Sequence, residues 1–369
     1  MDDNLFRVVS SDGRFDERFE PRLSGDELKR MYTALVKVRM LDDRMLTLQR
    51  QGRVGFYVPS TGEEALQVGS AWVLEKDDWV FPAYREPGAA LVRGMPVKKI
   101  FAQIYGNSID ASKGRQMPSH LSDKDVNFVT PSSPVATQVP IAVGAAMAIT
   151  LRKERNVALV YFGDGATSTG DFHVGMNFAG VFNAPCIFLC KNNQWAISLP
   201  FTRQTASQSV AMKAMAYGFE GVRVDGNDVL AVYISTKHAV ENARAGKGPT
   251  LIEAVTYRMG PHSSSDDPTR YRDAKEVEEW RKRDPITRFR LYLQAKALWD
   301  EKWEAEIRKQ IEEEFAAVIK EEEAAPKPQV ETLFTDVFED MPWNLREQME
   351  ETRARAAKHK GEASEQFPL

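Results

Sequence analysis

Apolar residues recur along this chain in two rhythms. After Ser24, the residues Leu28, Met31, Leu35, Val38, Met45 and Leu48 keep to one helix face until Gly52 stops the run, and Ser24 with Glu27 reads as a capping box at its start. Thr61 with Glu64 reads as a second capping box, opening a helix to about Leu74. Short apolar runs then alternate with helical segments. Trp79-Val80-Phe81 predicts a short strand that delivers Tyr84 and Arg85 to a loop, and Val157 to Phe162 and Cys186 to Cys190 predict two buried strands. Gly221 to Val224 and Thr250 to Thr256 predict two more. Between and after them, helical patterns run from Ser168 to about Phe182, from Ser209 to Tyr217 and from Val229 to Ala245. A helix carrying Ala142, Gly144, Ala145, Ala146 and Ala148 follows Gln138, and its small residues predict deep burial. Strands alternating with helices predict an α/β fold: a doubly wound, mostly parallel sheet flanked by helices, with helical N- and C-terminal extensions.

From Ala274 the composition turns to Glu, Lys, Arg, Trp and Leu, with helices expected at about 274–283, 285–297 and 300–323. A break at Ala325-Pro326-Lys327-Pro328, a strip from Phe334 to Pro342 with the character of a docking segment, and a final charged helix follow. The expected division is an irregular arm over 1–23, an α/β domain over 24–273 and a helical extension over 274–369.

Composition narrows the class. The 369 residues are 43% hydrophobic and 28% charged, as in soluble globular chains. A net charge of −4 gives no reason to expect nucleic acid or an anionic membrane surface as partner. No apolar run approaches the roughly 20 residues of a membrane span. Met1-Asp2-Asp3-Asn4 is acidic and lacks an apolar core, so neither a signal nor a transit peptide is expected. Cys186 and Cys190 stand on one face of one strand, where packing is favoured over redox or metal chemistry. These features predict a cytoplasmic protein.

The candidate chemistry lies at strand ends. Gly163-Asp164-Gly165 breaks the Val157–Phe162 run, and after 26 intervening residues Asn192-Asn193 ends the next. A carboxylate and an amide oxygen at adjacent carboxyl ends suit a hard cation, such as Mg2+, that completes its shell with phosphate oxygens. Arg85, directly after a strand, carries the planar fork that suits a diphosphate. His262, one of five histidines, follows another strand end in Gly260-Pro261-His262-Ser263-Ser264-Ser265-Asp266-Asp267. A loop of that composition is expected to order on ligand binding. No GxGxxG follows any strand and no Walker A lysine occurs, which weighs against a nucleotide module.

The paired Gly-Asp-Gly and Asn-Asn resemble the thiamine diphosphate motif. With Tyr257 to Arg272 and Gly114-Arg115-Gln116-Met117-Pro118, the chain resembles the α subunit of a heterotetrameric 2-oxo acid dehydrogenase E1 component of the branched-chain (2-oxoisovalerate) type. The resemblance runs from about Leu28 to the C-terminal helices and implies a thiamine diphosphate-binding fold. It implies decarboxylation of a 2-oxo acid and acyl transfer to a lipoyl-bearing E2 acyltransferase. It also implies a β subunit in an α2β2 heterotetramer that supplies the glutamate for the aminopyrimidine. By the same resemblance, Asp164, Asn193 and the main-chain carbonyl of Trp195 are Mg2+ ligands, and Tyr84, Arg85, Gly165, Ala166, Lys191 and His262 are cofactor contacts. Ser133 and Val135 are backbone contacts to the aminopyrimidine. Ser132, Pro134, Thr137 and Gln138 form a potassium loop, Phe56 lines the substrate pocket, and His262 is catalytic. Lys191 stands where an Arg is familiar, and Pro261 where a His is frequent. Ser263 takes the place of a serine that is phosphorylated in some relatives. Two alternatives stay open: a pyruvate (or acetoin) dehydrogenase α subunit, and a non-catalytic interaction subunit of the same fold.

Overall fold

A computed structural model describes residues 5–358. Among them seven strands occur: β1 (Trp79–Phe81), β2 (Ala158–Gly163), β3 (Cys186–Asn192), β4 (Trp195–Ala196), β5 (Leu199–Pro200), β6 (Glu220–Asp225) and β7 (Thr250–Val255). Five form one sheet in the order β1-β2-β3-β7-β6. Every neighbouring pair in it is parallel. β4 and β5 make a small antiparallel hairpin directly after β3. Because the large strands are parallel, their carboxyl ends share one edge.

Side-chain alternation divides the interior into two cores. Ala158, Val160, Phe162, Cys186, Phe188 and Cys190 meet helices Gln138–Leu151 and Gly170–Val181 on one face. Leu159, Tyr161, Ile187 and Leu189 face the other way, into a core shared with helices Gly25–Arg50, Glu64–Ala71 and Val229–Arg244. Helices Pro285–Ala295 and Glu301–Ala324 add Phe289, Tyr292, Ile311 and Phe315 to that second core. Both cysteines are free and buried on the same face, as their spacing predicts.

The first capping box is present: Ser24 Oγ accepts from the Glu27 N–H at 3.2 Å, and the Glu27 carboxylate accepts from the Ser24 N–H at 2.8 Å. The second is absent. Helix Glu64–Ala71 starts without a side-chain cap, the Thr61 hydroxyl donates to Asp42 at 2.9 Å, and Glu64 pairs with Arg39. Buried carboxylates draw on tertiary donors here, and the local motif loses the competition. Residues 1–4 of the expected arm lie outside the described residues. From Phe6 onward the arm lies on the chain's own sheet: Phe6 bridges Val224, and the N–H groups of Val8 and Val9 each donate to Asp228 at 2.7 Å.

Helix Gln138–Leu151 departs from its expected deep burial. Val139, Ala142, Val143 and Ala146 pack on the sheet, but Leu151 is 82% exposed and a Cβ at Gly144 would meet nothing within 4 Å. Phe178 and Val181 of helix Gly170–Val181 are exposed beside it. An apolar circumference buries a helix only when something covers both sides, and the described residues cover one. No helix among the described residues is long and apolar enough to cross a membrane.

Candidate active site

Four strand ends converge at the sheet's carboxyl edge. After β2 the chain enters a tight turn at Asp164–Ser168, and the Thr169 hydroxyl caps the next helix by accepting from the Phe172 N–H at 3.3 Å. β3 hands over to Asn193 and the β4–β5 hairpin, β1 to Tyr84 and Arg85, and β7 to Arg258 and His262. Together they surround a cavity of about 360 Å³, within the usual range of small-ligand sites.

The wall of that cavity includes Tyr84, Arg85, Ser132, Val135, Gln138, Asp164, Gly165, Ala166, Lys191, Asn193, Trp195 and His262. Ser133, Pro134, Thr137 and Phe56 stand outside it. The Ser133 hydroxyl is 2.8 Å from His120 Nε2, and the Thr137 hydroxyl donates to the Pro134 carbonyl at 3.0 Å. Phe56 is half-buried, and its neighbour Tyr57 turns inward to donate to Asp42 at 2.8 Å. At Gly165 a Cβ would stand 3.0 Å from the Ala196 Cβ, so only a bare backbone sits there without displacing the hairpin.

Asp164 is buried, and its Oδ2 has no hydrogen-bond partner. Burial, together with the nearby Glu63 charge, pushes its pKa up to about 7. The Asn193 amide is held at both ends: Nδ2 donates to Glu63 at 2.6 Å, and Oδ1 accepts from the Trp195 N–H at 3.2 Å. The Trp195 carbonyl accepts from Arg258 Nη1 at 3.2 Å. Arg258 also donates from Nη2 to the Ile197 carbonyl at 2.7 Å and to the Tyr271 hydroxyl at 2.8 Å, while its Nε has no partner. Burial, then the charge of Arg85, lowers the Arg258 pKa.

Lys191 is buried and ion-paired to Glu86, with Glu63 at 3.6 Å. Burial opposes its charge, but Glu86 and Glu63 outweigh that and hold its pKa above the ordinary value. His262 Nδ1 lies 3.3 Å from Arg85 Nη2 and 3.4 Å from Arg258 Nη1. Guanidinium groups only donate, so Nδ1 accepts and the ring proton resides on Nε2. Burial, then Arg85 and Arg258, push the His262 pKa down to about 3, which keeps the ring neutral.

The loop carrying His262 makes hydrogen bonds within itself and to the rest of the chain. The His262 N–H donates to Asp266 at 2.7 Å, and the Tyr271 hydroxyl donates to the same carboxylate at 2.6 Å. The Ser264 N–H donates to the Tyr57 carbonyl at 2.9 Å, and Arg272 donates to the Met259 carbonyl at 3.0 Å. Ser263 is buried within it.

These groups fit a metal-bound diphosphate on the structure's own terms. A buried acceptor without a donor, Asp164 Oδ2, suits a cation, and a buried donor without an acceptor, Arg258 Nε, suits an anion. Among the described residues no group of three or more His, Cys, Asp and Glu converges on a metal position. That leaves one carboxylate with amide and carbonyl oxygens, the donor set of a cation that keeps phosphate and water in its shell. Sequence reasoning missed Glu63, read only as part of a helix start, and gave Arg258 no role.

The sequence profile described as dehydrogenase E1 component matches residues 32–331. The 2-oxoisovalerate dehydrogenase subunit alpha 2, mitochondrial, of Arabidopsis thaliana is 43% identical over 345 residues, 93% of this chain and 73% of the relative. The 2-oxoisovalerate dehydrogenase subunit alpha, mitochondrial, of Caenorhabditis elegans is 43% identical over 372 residues, covering 99% of this chain and 84% of the relative. Its Homo sapiens counterpart is 43% identical over 367 residues, covering 99% of this chain and 82% of the relative. Each of these relatives is a mitochondrial protein, which overturns the cytoplasmic expectation drawn from the acidic N-terminus and the unpaired cysteines.

Proposed function

The chain belongs to the dehydrogenase E1 component family, among the α subunits of branched-chain 2-oxo acid dehydrogenases, and from that premise we propose that it acts on branched 2-oxo acids such as 2-oxoisovalerate. The family depends on thiamine diphosphate, and an α subunit of this kind works with a β subunit and an E2 partner. One observation carries the reading of the site: a buried, unpartnered Asp164 Oδ2 at the end of β2, facing a cavity walled by Arg85, Lys191, Arg258 and His262.

We assign Asp164, the Asn193 amide oxygen and the Trp195 carbonyl to Mg2+. Tyr84, Arg85, Gly165, Ala166 and His262 are assigned to the diphosphate, with Lys191 adding charge from beneath because Glu86 already takes its ammonium. Ser133 and Val135 are assigned to the aminopyrimidine through their backbone. The potassium assignment to Ser132, Pro134, Thr137 and Gln138 is supported by the turn that brings the Thr137 hydroxyl to the Pro134 carbonyl. The assignment of Phe56 to the substrate rests on the motif, since it stands outside the wall. Residues 24–273 are taken as the cofactor-binding unit, 1–23 as its arm and 274–369 as its helical extension.

When bound, thiamine diphosphate supplies a nucleophilic carbon and the electron sink that decarboxylation needs. The chain's own residues hold and orient it. Arg85 and Arg258 would offer buried guanidinium groups to its negative charge, where charge-assisted contacts are strong. An anion against both guanidiniums would offset the part of the His262 pKa depression that comes from Arg85 and Arg258, leaving the larger part due to burial. With Nδ1 turned to the two guanidiniums, His262 is assigned to proton transfer through its Nε2.

The cavity wall carries a single carboxylate, Asp164. The carboxylate for the aminopyrimidine is therefore assigned to the β subunit. We place that subunit, in an α2β2 assembly, over the apolar face formed by Ile141, Leu151, Phe178 and Val181. That face is supported by its exposed apolar residues and by helix Gln138–Leu151, which begins three residues after Val135, a 49% exposed residue of the cavity wall. Co-purification with the β subunit followed by decarboxylation assays tests the whole reading. Turnover of 2-oxoisovalerate well above pyruvate is expected. A preference for pyruvate would transfer the chain to the alternative substrate class, and failure to bind thiamine diphosphate in the assembly would make it a non-catalytic subunit.

A further inference from the structure

We propose that Glu63 is a positioning residue that fixes which end of the Asn193 amide faces the metal; this rests on the Mg2+ assignment above. Glu63 sits between Gly62 and helix Glu64–Ala71, is fully buried at 0% exposure, and stands outside the cavity wall. Its Oε1 accepts from Asn193 Nδ2 at 2.6 Å, across 130 residues of chain. A carboxylate accepts and does not donate, so only the NH2 end of the amide satisfies it. The amide oxygen is thereby turned to the other side, where it takes the Trp195 N–H at 3.2 Å and keeps a second lone pair. An Asn193 free to flip would present its NH2 group, a donor, to a cation.

Two cations flank Glu63 in the interior. Arg85 Nε lies 3.8 Å from Oε1, and Lys191 Nζ lies 3.6 Å from Oε2. A buried carboxylate without such company would be costly. The same side chain therefore touches one proposed metal ligand and two cations of the cavity wall. Groups behind a metal ligand commonly set its orientation in this way.

The test is a titration of Mg2+, and separately Mn2+, with thiamine diphosphate into the α protein assembled with its β subunit. Heat is followed for Mg2+, and the resonance signal of free ion for Mn2+. Glu63→Gln is expected to weaken metal affinity roughly 10- to 100-fold, because a glutamine can face the amide with either end. The double variant Glu63→Gln with Asn193→Asp reverses the polarity of the pair. The new amide donates to the new carboxylate, and an oxygen faces the metal whichever way either side chain turns. It is expected to recover most of the affinity lost in E63Q. Wild-type affinity in E63Q overturns the proposal. So does a double variant that assembles normally yet binds no better than E63Q, because a merely structural role for Glu63 predicts no rescue. If E63Q does not assemble, Glu63→Asp draws the carboxylate back by one methylene and is expected to weaken metal binding; unchanged affinity there is equally fatal. Asp164→Ala is the control. If it too binds metal as the wild type does, the failure belongs to the Mg2+ assignment and not to Glu63.

Discussion

On the side of the sheet facing helices Gly25–Arg50 and Glu64–Ala71, the buried Asp42 carboxylate finds its donors within the chain. It accepts from the Tyr57 hydroxyl and the Ser60 N–H, each at 2.8 Å, and from the Thr61 hydroxyl at 2.9 Å. Nearby, Arg39 joins Glu64 to Asp284. At the sheet's carboxyl edge, Asp164 Oδ2 and Arg258 Nε have no partner, and on helix Gly170–Val181 Phe178 and Val181 stand exposed. A buried polar group left unpaired costs about 1–3 kcal/mol. Unpaired buried groups occur on the first side too, at Gln67 Nε2, Gln103 Oε1 and Thr236 Oγ1; what distinguishes Asp164 and Arg258 is that both belong to the wall of the cavity assigned above to a ligand.

The largest expected effect breaks the open side at its metal. Asp164→Ala should abolish Mg2+-dependent binding of thiamine diphosphate, because the remaining amide and carbonyl oxygens do not offset the diphosphate charge. The same variant should not lower the melting temperature of the ligand-free chain, since the carboxylate removed has an oxygen without a donor. Calorimetry and a thermal melt read the two halves; unchanged cofactor affinity would end the comparison. Next in size, His262→Ala should leave cofactor binding partly intact and slow acylation of a lipoyl domain by roughly 10²- to 10⁴-fold. A variant that acylates at the wild-type rate removes His262 from the chemistry.

Phe178→Asp sharpens the comparison at the apolar face. Phe178 is 47% exposed, so the substitution should leave the isolated chain folded. A carboxylate pressed into an apolar contact should weaken assembly with the β subunit, read as a shift toward free α on gel filtration. Normal assembly would put the β subunit on another surface.

The same contrast explains what the sequence discloses. Gly163-Asp164-Gly165 and Asn192-Asn193 are legible because a ligand edge in a parallel sheet is made of strand ends, and strand ends are punctuated. Val135 and His262 come with them through the motif. Glu63 is not legible: an acidic residue at the start of a helix is ordinary on local grounds, and its partner Asn193 lies in a different loop. Thr61 likewise reads as a cap because nothing local reveals Asp42, nineteen positions earlier, as a stronger acceptor. Helix Gln138–Leu151 misleads for a different reason. Its residues describe a helix covered on both sides, and among the described residues nothing covers the second.

The smallest expected effect tests the closed side through its dependence on pH. Burial, then the neighbouring Glu64 charge, push the Asp42 pKa from 3.8 up to about 7. Between roughly pH 4 and pH 7 the folded chain therefore keeps a proton that the unfolded chain has released. A rise in pH across that window favours unfolding. The contribution is complete below about pH 4 and is lost as pH climbs through about 7. Asp42→Asn cannot titrate, so its urea midpoint should fall less than that of the wild type between pH 5 and pH 7.5. Parallel pH profiles for the two proteins would show that the donors around Asp42 keep it ionised throughout. The closed side would then be held by charge-assisted hydrogen bonds that do not change over this range.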